Sequence, residues 1–165
     1  MTTDLFLDAA VIPALSLMPS RMDSIEGRAM VLAIGLQESR LRHRRQIGGP
    51  ARSYMQFEPS GIHAVLEHVT TKSIARNFCL MLDVAPDTEG VYKAIEWNDM
   101  LCAGFARMLL WTSPLALPSI DEPGVGWELY RTTWRPGRPR KETWNGCFAD
   151  AWKSVLPDLK RGINA

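Results

Sequence analysis

A long apolar segment that ends close to a carboxylate constrains this chain more than any other feature. Residues 29–36 are apolar on every face of a helix, with Gly35 as the one small break, and Glu38 follows within the next turn. A helix that is apolar all round is surrounded by other parts of the protein. We therefore predict a central buried helix over residues 25–40, with Glu38 in its last turn.

The start of this helix has a capping signal. Asp23 can accept hydrogen bonds from the first free backbone N–H groups, and Glu26 stands three residues later, where a capping-box carboxylate belongs. We expect Asp23 to cap the central helix.

The rest of the chain alternates apolar helical patterns with Pro- and Gly-containing turns. Helices are predicted at about residues 62–69, 72–82, 88–96, 98–111, 125–134 and 141–156, the helix at 98–111 being a second buried one, and residues 53–58 are expected to form a short β-like segment. No linker, repeat or low-complexity segment interrupts residues 1–165. The predicted fold class is mainly α, within the α+β class: one domain with a central buried helix, a small β-like insertion and several surrounding helices.

The composition is that of an ordinary globular domain. Apolar residues make up 46% of the chain, charged residues 22%, and the net charge is +1, so there is no global bias toward nucleic acid or acidic lipid. No apolar run reaches the roughly 18 residues needed to span a bilayer. At the N-terminus, Asp4 and Asp8 replace the basic region of a secretory signal, which favours a helix that docks on the core.

Cysteine and histidine patterns do not indicate a metal or cofactor. The three cysteines include no CxxC spacing, which favours reduced, buried thiols. His63 and His68 are five residues apart and do not share a helix face. No P-loop, GxSxG or dinucleotide fingerprint is present, so we expect neither a metal nor a cofactor.

Glu38 is the candidate for chemistry. Burial near a packed core and the negative end of the helix dipole both raise the pKa of a carboxyl group. A carboxylic acid held protonated closer to neutral pH can deliver a proton to a leaving oxygen. Two other interpretations stay open at this point: a surface glutamate at a helix end, or an ion pair with Arg40 or Arg42.

The residues around Glu38 resemble a known family. The pair Glu38-Ser39, a loop, and then ARSYMQFEP over residues 51–59 resemble the signature of soluble lytic transglycosylases and goose-type lysozymes. The family's third motif, Ala-Tyr-Asn-x-Gly, has its nearest counterpart in TWRPG over residues 133–137, where Trp134 replaces Tyr and Arg135 replaces Asn. The whole chain is also similar to small phage-encoded proteins regarded as virion-associated or lysozyme-like.

The resemblance implies a lysozyme-like domain that cleaves the MurNAc–GlcNAc β-1,4 bond of peptidoglycan. Glu38 would be the catalytic acid/base. The substrate-binding residues would be Ser39, Tyr54, Met55, Gln56, Trp134 and Arg135. The implied setting is a phage virion, or the host cytoplasm or periplasm during infection, with peptidoglycan glycan strands and other virion proteins as partners and no membrane partner.

The family mechanism uses one carboxyl group. The reaction ends either in hydrolysis of the bond by water or in formation of a 1,6-anhydro sugar. Retaining and inverting hydrolases generally need a second carboxylate. Glu58 is the nearest candidate, but it falls on a variable position of the pattern, and we interpret it as a surface residue or loop anchor. The lack of a clear partner favours the lyase course.

Two basic stretches leave alternatives open. Arg40, Arg42, His43, Arg44, Arg45 and Arg52 would either anchor carboxylates within the fold or contact acidic stem peptides or phosphate. Around residues 127–144, arginines alternate with tryptophans, a pattern also found in single-strand nucleic-acid binding. Helical spacing places Trp144 and Trp152 in the core, which leaves Trp134 as the candidate for sugar contact. The alternative functions are a non-catalytic virion protein on the same scaffold and, more weakly, a DNA-contacting virion protein.

Overall fold

The computed structural model describes residues 1–163, and side-chain environments for residues 1–157. It is mainly helical, as predicted. The helices are α1 (Thr3–Phe6), α2 (Ile12–Ser16), α3 (Ile25–Ser39), α4 (Pro59–Glu67), α5 (Lys72–Met81), α6 (Thr88–Ala94), α7 (Asp99–Trp111), α8 (Pro123–Trp134) and α9 (Lys141–Ile163). A π-helical segment, Leu7–Val11, joins α1 to α2, and a 3-10 turn, Ser20–Met22, precedes α3.

Helix α3 is the buried central helix that the sequence predicts. Its residues from Ala29 to Gly35 are all buried, and it packs most extensively against α9. The expected cap is wrong by one residue, because Ser24 Oγ accepts the hydrogen bond from the Gly27 amide at 3.1 Å. Asp23 instead forms an ion pair with Arg28 at 2.7 Å.

Gly35 allows the loop after α3 to fold back onto the helix. A Cβ atom at this position would lie 2.7 Å from Leu41 Cδ2 and 3.1 Å from Met55 Cε. Both side chains are almost fully buried. The glycine therefore brings two loop residues against the helix directly below its C-terminal turn.

Helix α7 is the second buried helix, again as predicted, but it carries one buried cation. Arg107 is 1% exposed, and its Nε donates a 2.7 Å hydrogen bond to the Met22 carbonyl. Its guanidinium group lies 4.9 Å from the centroid of the Trp111 ring. Burial lowers the pKa of Arg107 to about 10, which leaves the side chain charged at neutral pH.

The expected β-like segment at residues 53–58 is instead a tight turn. Arg52 and Phe57 exchange two backbone hydrogen bonds of 2.9 and 2.7 Å, while Ser53 and Gln56 between them have φ angles of 66° and 51°. Positive φ is incompatible with extended backbone. Within residues 1–163, the β pairing consists of isolated bridges, Arg45 with Arg52 and Arg52 with Phe57.

The N-terminal helical segment docks on the core, as its apolar pattern predicts. Phe6, Val11 and Leu15 are fully buried. The three cysteines, Cys79, Cys102 and Cys147, are free and buried, which confirms the interpretation of their spacing. No helix in the described part of the chain combines the length and apolarity required to cross a membrane.

Candidate functional site

A cleft of about 1050 Å³ opens where α3 ends. Its walls come from the loop after α3, the start of α4, the end of α7, helix α8 and the segment that connects α8 to α9. Four residues that the sequence singled out line this cleft together: Glu38, Gln56, Trp134 and Arg135. Side chains about 100 positions apart in the sequence are thus brought to one site.

Glu38 lies half-buried in the cleft wall. Its Oε1 accepts a 2.6 Å hydrogen bond from the Tyr130 hydroxyl. Burial raises the pKa of Glu38 above its ordinary value, and the Tyr130 hydrogen bond and the nearby Arg140 charge partly offset that rise. A larger fraction of this carboxyl is therefore protonated at a given pH than of an exposed glutamate.

Tyr130 is a candidate site residue that the sequence reasoning missed. It is 2% exposed, and its ring stacks on Trp144 with centroids 5.2 Å apart and an angle of 11° between the planes. Burial and the adjacent Glu38 carboxyl raise the pKa of its phenol, so the hydroxyl stays a hydrogen-bond donor. Its position midway between Trp127 and Trp134, at helical spacing on one face of α8, is a signal that could have found it.

Gln37 ties the start of α9 to the end of α3. Its Nε2 donates to the Arg140 carbonyl at 2.9 Å, and its Oε1 accepts from Thr143 Oγ1 at 3.0 Å. Arg140 returns a hydrogen bond from Nη2 to the Gln37 carbonyl at 3.3 Å. This reciprocal set fixes the Arg140 guanidinium close to Glu38.

Three of the predicted substrate-binding residues do not line the cleft. Ser39 is buried, and its Oγ donates to the Tyr54 carbonyl at 2.8 Å and accepts from the Leu41 amide at 3.2 Å. Met55 is fully buried below Gly35, and the Tyr54 ring is covered by the Arg44 guanidinium at 4.2 Å. These three residues were expected to contact a ligand. Their side chains are buried in the core, so they support the wall of the cleft instead.

Trp134 connects the end of α8 to the turn after Ser53. Its Nε1 donates a 3.0 Å hydrogen bond to the Met55 carbonyl, and its ring lies 5.7 Å from the Phe57 ring. Arg135 follows with a φ of 48°, which ends the helix and leaves the side chain exposed along the cleft. The segments 51–59 and 133–137 are thus in direct contact through Trp134 and Met55.

Gln56 also lines the cleft. Its Nε2 donates to the Ser53 carbonyl at 2.8 Å and, more weakly, to the His43 carbonyl at 3.4 Å. These bonds hold the tight turn in its positive-φ conformation. Glu58 is exposed at the N-cap of α4 and is the second carboxyl group among the described residues that line the cleft.

The first basic stretch is largely used within the fold. Arg44 forms a bidentate pair with Asp99 at 2.6 and 2.8 Å, Arg45 pairs with Glu96 at 2.7 Å, and Arg52 lies 3.7 Å from the same Glu96 carboxylate. These contacts confirm that the loop anchors carboxylates. Within the described residues, neither Arg40 nor Arg42 forms the alternative ion pair with Glu38, and Arg40 Nη1 instead donates to Cys147 Sγ at 3.4 Å.

The cleft presents phenol, amide and guanidinium groups and two carboxyl groups, of which Glu38 has the raised pKa. Such a set can transfer a proton from Glu38 and hold polar ligand groups by hydrogen bonds. Among the residues described, no three His, Cys, Asp or Glu side chains gather as metal ligands would. Comparison of the chain with protein-family models, with curated proteins and with solved structures finds no match.

Proposed function

We propose that this protein cleaves peptidoglycan glycan strands at the β-1,4 bond between N-acetylmuramic acid and N-acetylglucosamine, with Glu38 as the general acid. The observation that carries the proposal is the half-buried Glu38 carboxyl, of raised pKa, in the wall of a large cleft. At about 1050 Å³, the cleft lies at the upper end of the range of small-molecule sites, which suits an oligomeric substrate.

In the proposed reaction, Glu38 gives its proton to the glycosidic oxygen as the bond from that oxygen to C1 of N-acetylmuramic acid breaks. The positive charge left on the sugar is shared between C1 and the ring oxygen. The Glu38 carboxylate then removes a proton either from water, which adds hydroxide to C1, or from the sugar's own 6-hydroxyl, which closes a 1,6-anhydro ring. In both courses Glu38 regains its proton.

Tyr130 and Arg140 have defined parts in this scheme. Once Glu38 has lost its proton, the Tyr130 hydroxyl donates a hydrogen bond to the carboxylate, and the Arg140 charge lies close by. Both interactions stabilise the ionised form in a partly dry site. They lower the energy of the state in which Glu38 has given up its proton, and this role requires no contact with the sugar.

The proposal includes a lysozyme-like fold for the domain and a phage origin for the protein. The central helix that ends at Glu38-Ser39 and the Trp134–Met55 hydrogen bond support the proposed fold, because they join the motifs of the resemblance in space, and the phage origin rests on the sequence resemblance alone. The setting proposed is a virion, or an infected host cell, with other virion proteins as partners.

The decisive experiment compares matched carboxamide variants of the two cleft carboxyls. Purified wild-type protein and Glu58→Gln are expected to clear permeabilised Gram-negative cell walls. Glu38→Gln should lose at least about 100-fold in rate, the usual worth of a general acid. Equal clearing by Glu38→Gln would remove Glu38 from the mechanism. No clearing by the wild type would favour a non-catalytic virion protein.

The released muropeptides distinguish the two courses of the reaction. A 1,6-anhydro product is lighter than the hydrolysed one by one water, which mass spectrometry resolves. We expect the anhydro product, because the second carboxyl along the described cleft, Glu58, is exposed at a helix N-cap. A product that incorporates oxygen from ¹⁸O-labelled water would identify a hydrolase instead.

A further inference from the structure

The charge along the cleft is unbalanced. Arg135, Arg138 and Arg140 line it from the segment that connects α8 to α9, and we call this set the basic wall. The carboxyl groups of the described cleft residues are Glu38, whose pKa is raised, and the exposed Glu58. Guanidinium groups therefore outnumber ionised carboxylates in this cleft, and a concave site focuses that positive potential.

The basic wall keeps its charge available. Arg135 Nε contacts the Thr132 carbonyl at 3.3 Å and Arg140 Nη2 contacts the Gln37 carbonyl at 3.3 Å, both of which are neutral acceptors. None of the three arginines forms an ion pair with a side chain that the structure describes.

The other basic stretch provides the contrast. Arg44 and Arg45 each hold a carboxylate of the fold, Asp99 and Glu96 respectively. Both stretches are basic in the sequence, but Arg44, Arg45 and Arg52 of the one after α3 pair with carboxylates of the fold, and no arginine of that stretch lines the cleft. The basic wall is the stretch left to meet a ligand in the cleft.

We propose, on the basis of the function proposed above, that the basic wall binds carboxylates of the stem peptides, so that the preferred substrate is peptide-bearing glycan. A glycan strand without stem peptides keeps the single lactyl carboxylate of each N-acetylmuramic acid, whereas a stem peptide that is not cross-linked carries several carboxylates and projects them away from the strand. Arginine matches a carboxylate with two parallel hydrogen bonds. Arg135 and Arg138 are exposed, and they can reach groups that project from a strand lying in the cleft.

The test measures binding and needs no cleavage. Calorimetry measures the binding of the Glu38→Gln protein to soluble, uncross-linked Gram-negative glycan strands that carry stem peptides, and in parallel to the same strands after an amidase has removed those peptides. We expect tighter binding to the peptide-bearing form. Replacing both Arg135 and Arg138 by Gln should weaken that binding by roughly 3- to 10-fold, as expected for two exposed ion pairs, and should abolish the preference.

Two matched variants separate charge from folding. Arg135→Lys with Arg138→Lys keeps the charge and should retain much of the preference. Arg21→Gln with Arg76→Gln removes two exposed charges outside the cleft and should bind as the parent does. The preference should also fall as salt is raised, because exposed charges are screened.

Equal binding to both forms of the glycan, or an unchanged preference in the Gln variant, would overturn the inference. Tighter, salt-dependent binding to single-stranded DNA than to either form of the glycan would assign the basic wall to nucleic acid instead. The proposed cleavage fails independently, through an absence of wall clearing by the wild-type protein, and that result leaves the binding preference measurable.

Discussion

The Tyr130 hydroxyl donates a 2.6 Å hydrogen bond to Glu38 Oε1, although the two residues stand 92 positions apart in the sequence. Burial favours the neutral form of Glu38, while this hydrogen bond favours the carboxylate. The net effect raises the pKa of Glu38, while the carboxylate still keeps a hydrogen-bond donor. A group that gives a proton and then takes one back requires both forms to be reachable.

Replacing Tyr130 by Phe should move the alkaline limb of the pH–rate profile to higher pH. The hydrogen bond that lowers the pKa of Glu38 is lost, while the burial that raises it stays. The maximum rate should fall as well, since the carboxylate formed after proton transfer loses a donor. The pH dependence of kcat/KM on peptidoglycan measures both effects.

Tyr92→Phe is the matched control for this experiment. Its hydroxyl donates to the Pro50 carbonyl, and Tyr92 does not line the cleft. An alkaline limb that stays in place in Tyr130→Phe, or that moves equally in Tyr92→Phe, would contradict the assigned coupling.

The stability of the protein should depend on pH through Glu38. The pKa of Glu38 in the folded state lies above the unfolded value of about 4.3, so the folded state binds this proton more tightly. The free energy of unfolding therefore falls as pH rises from the unfolded value through the folded one, by about 1.4 kcal/mol for each unit of difference. Glu38→Gln removes this dependence, and its stability relative to wild type should increase over that interval.

Urea denaturation at a series of pH values tests the expected divergence. Glu58→Gln, at an exposed carboxylate, should follow the wild type within about 0.5 kcal/mol throughout. Parallel curves for wild type and Glu38→Gln would show that the folded state does not raise the pKa of Glu38.

The burial of the central helix and the position of Glu38 at its end could be predicted, because both depend on neighbouring residues in the sequence. An apolar run reports its own burial, and a carboxylate that follows it must lie near the core boundary. The N-cap at Ser24 shows the limit of such signals. Asp23 and Ser24 are both residue types that favour the N-cap position. In the structure Asp23 pairs with Arg28 of the same helix, and Ser24 is the cap.

The spacing of Tyr130 with Trp127 and Trp134 marks one face of α8, but that local pattern does not show that Tyr130 contacts Glu38. Tyr130 reaches the carboxyl because α8 packs on α9, where its ring stacks on Trp144. The resemblance also placed Ser39 and Met55 at the cleft, whereas the positive φ of Arg40 and Leu41 turns the chain back and buries both. Backbone direction after a helix end depends on distant contacts, such as that of Met55 with Gly35.

Replacing Ser39 by Ala should cost stability and leave substrate affinity unchanged. The substitution removes the donor to the Tyr54 carbonyl and the nearer of two acceptors for the Leu41 amide, which keeps only its 3.4 Å hydrogen bond to the Gly35 carbonyl. Leaving buried polar groups unpaired costs about 1–3 kcal/mol. The urea midpoint should fall with an unchanged slope, and Ser73→Ala on the exposed face of α5 should stay within about 0.5 kcal/mol of wild type. A raised KM with unchanged stability would instead return Ser39 to the cleft surface.

Trp134→Phe should reduce both stability and catalysis, because one side chain joins two walls of the cleft. Loss of the Nε1 bond to the Met55 carbonyl is expected to cost about 1–2 kcal/mol. The freed turn also carries Gln56, which lines the cleft with Glu38, so the geometry of the cleft should loosen and kcat/KM should drop. Trp97→Phe, at a residue that is 72% exposed, controls for the chemistry of the substitution and should change neither quantity. If Trp134→Phe lowers kcat/KM while the urea midpoint is unchanged, then Trp134 acts on the ligand directly and does not brace the turn.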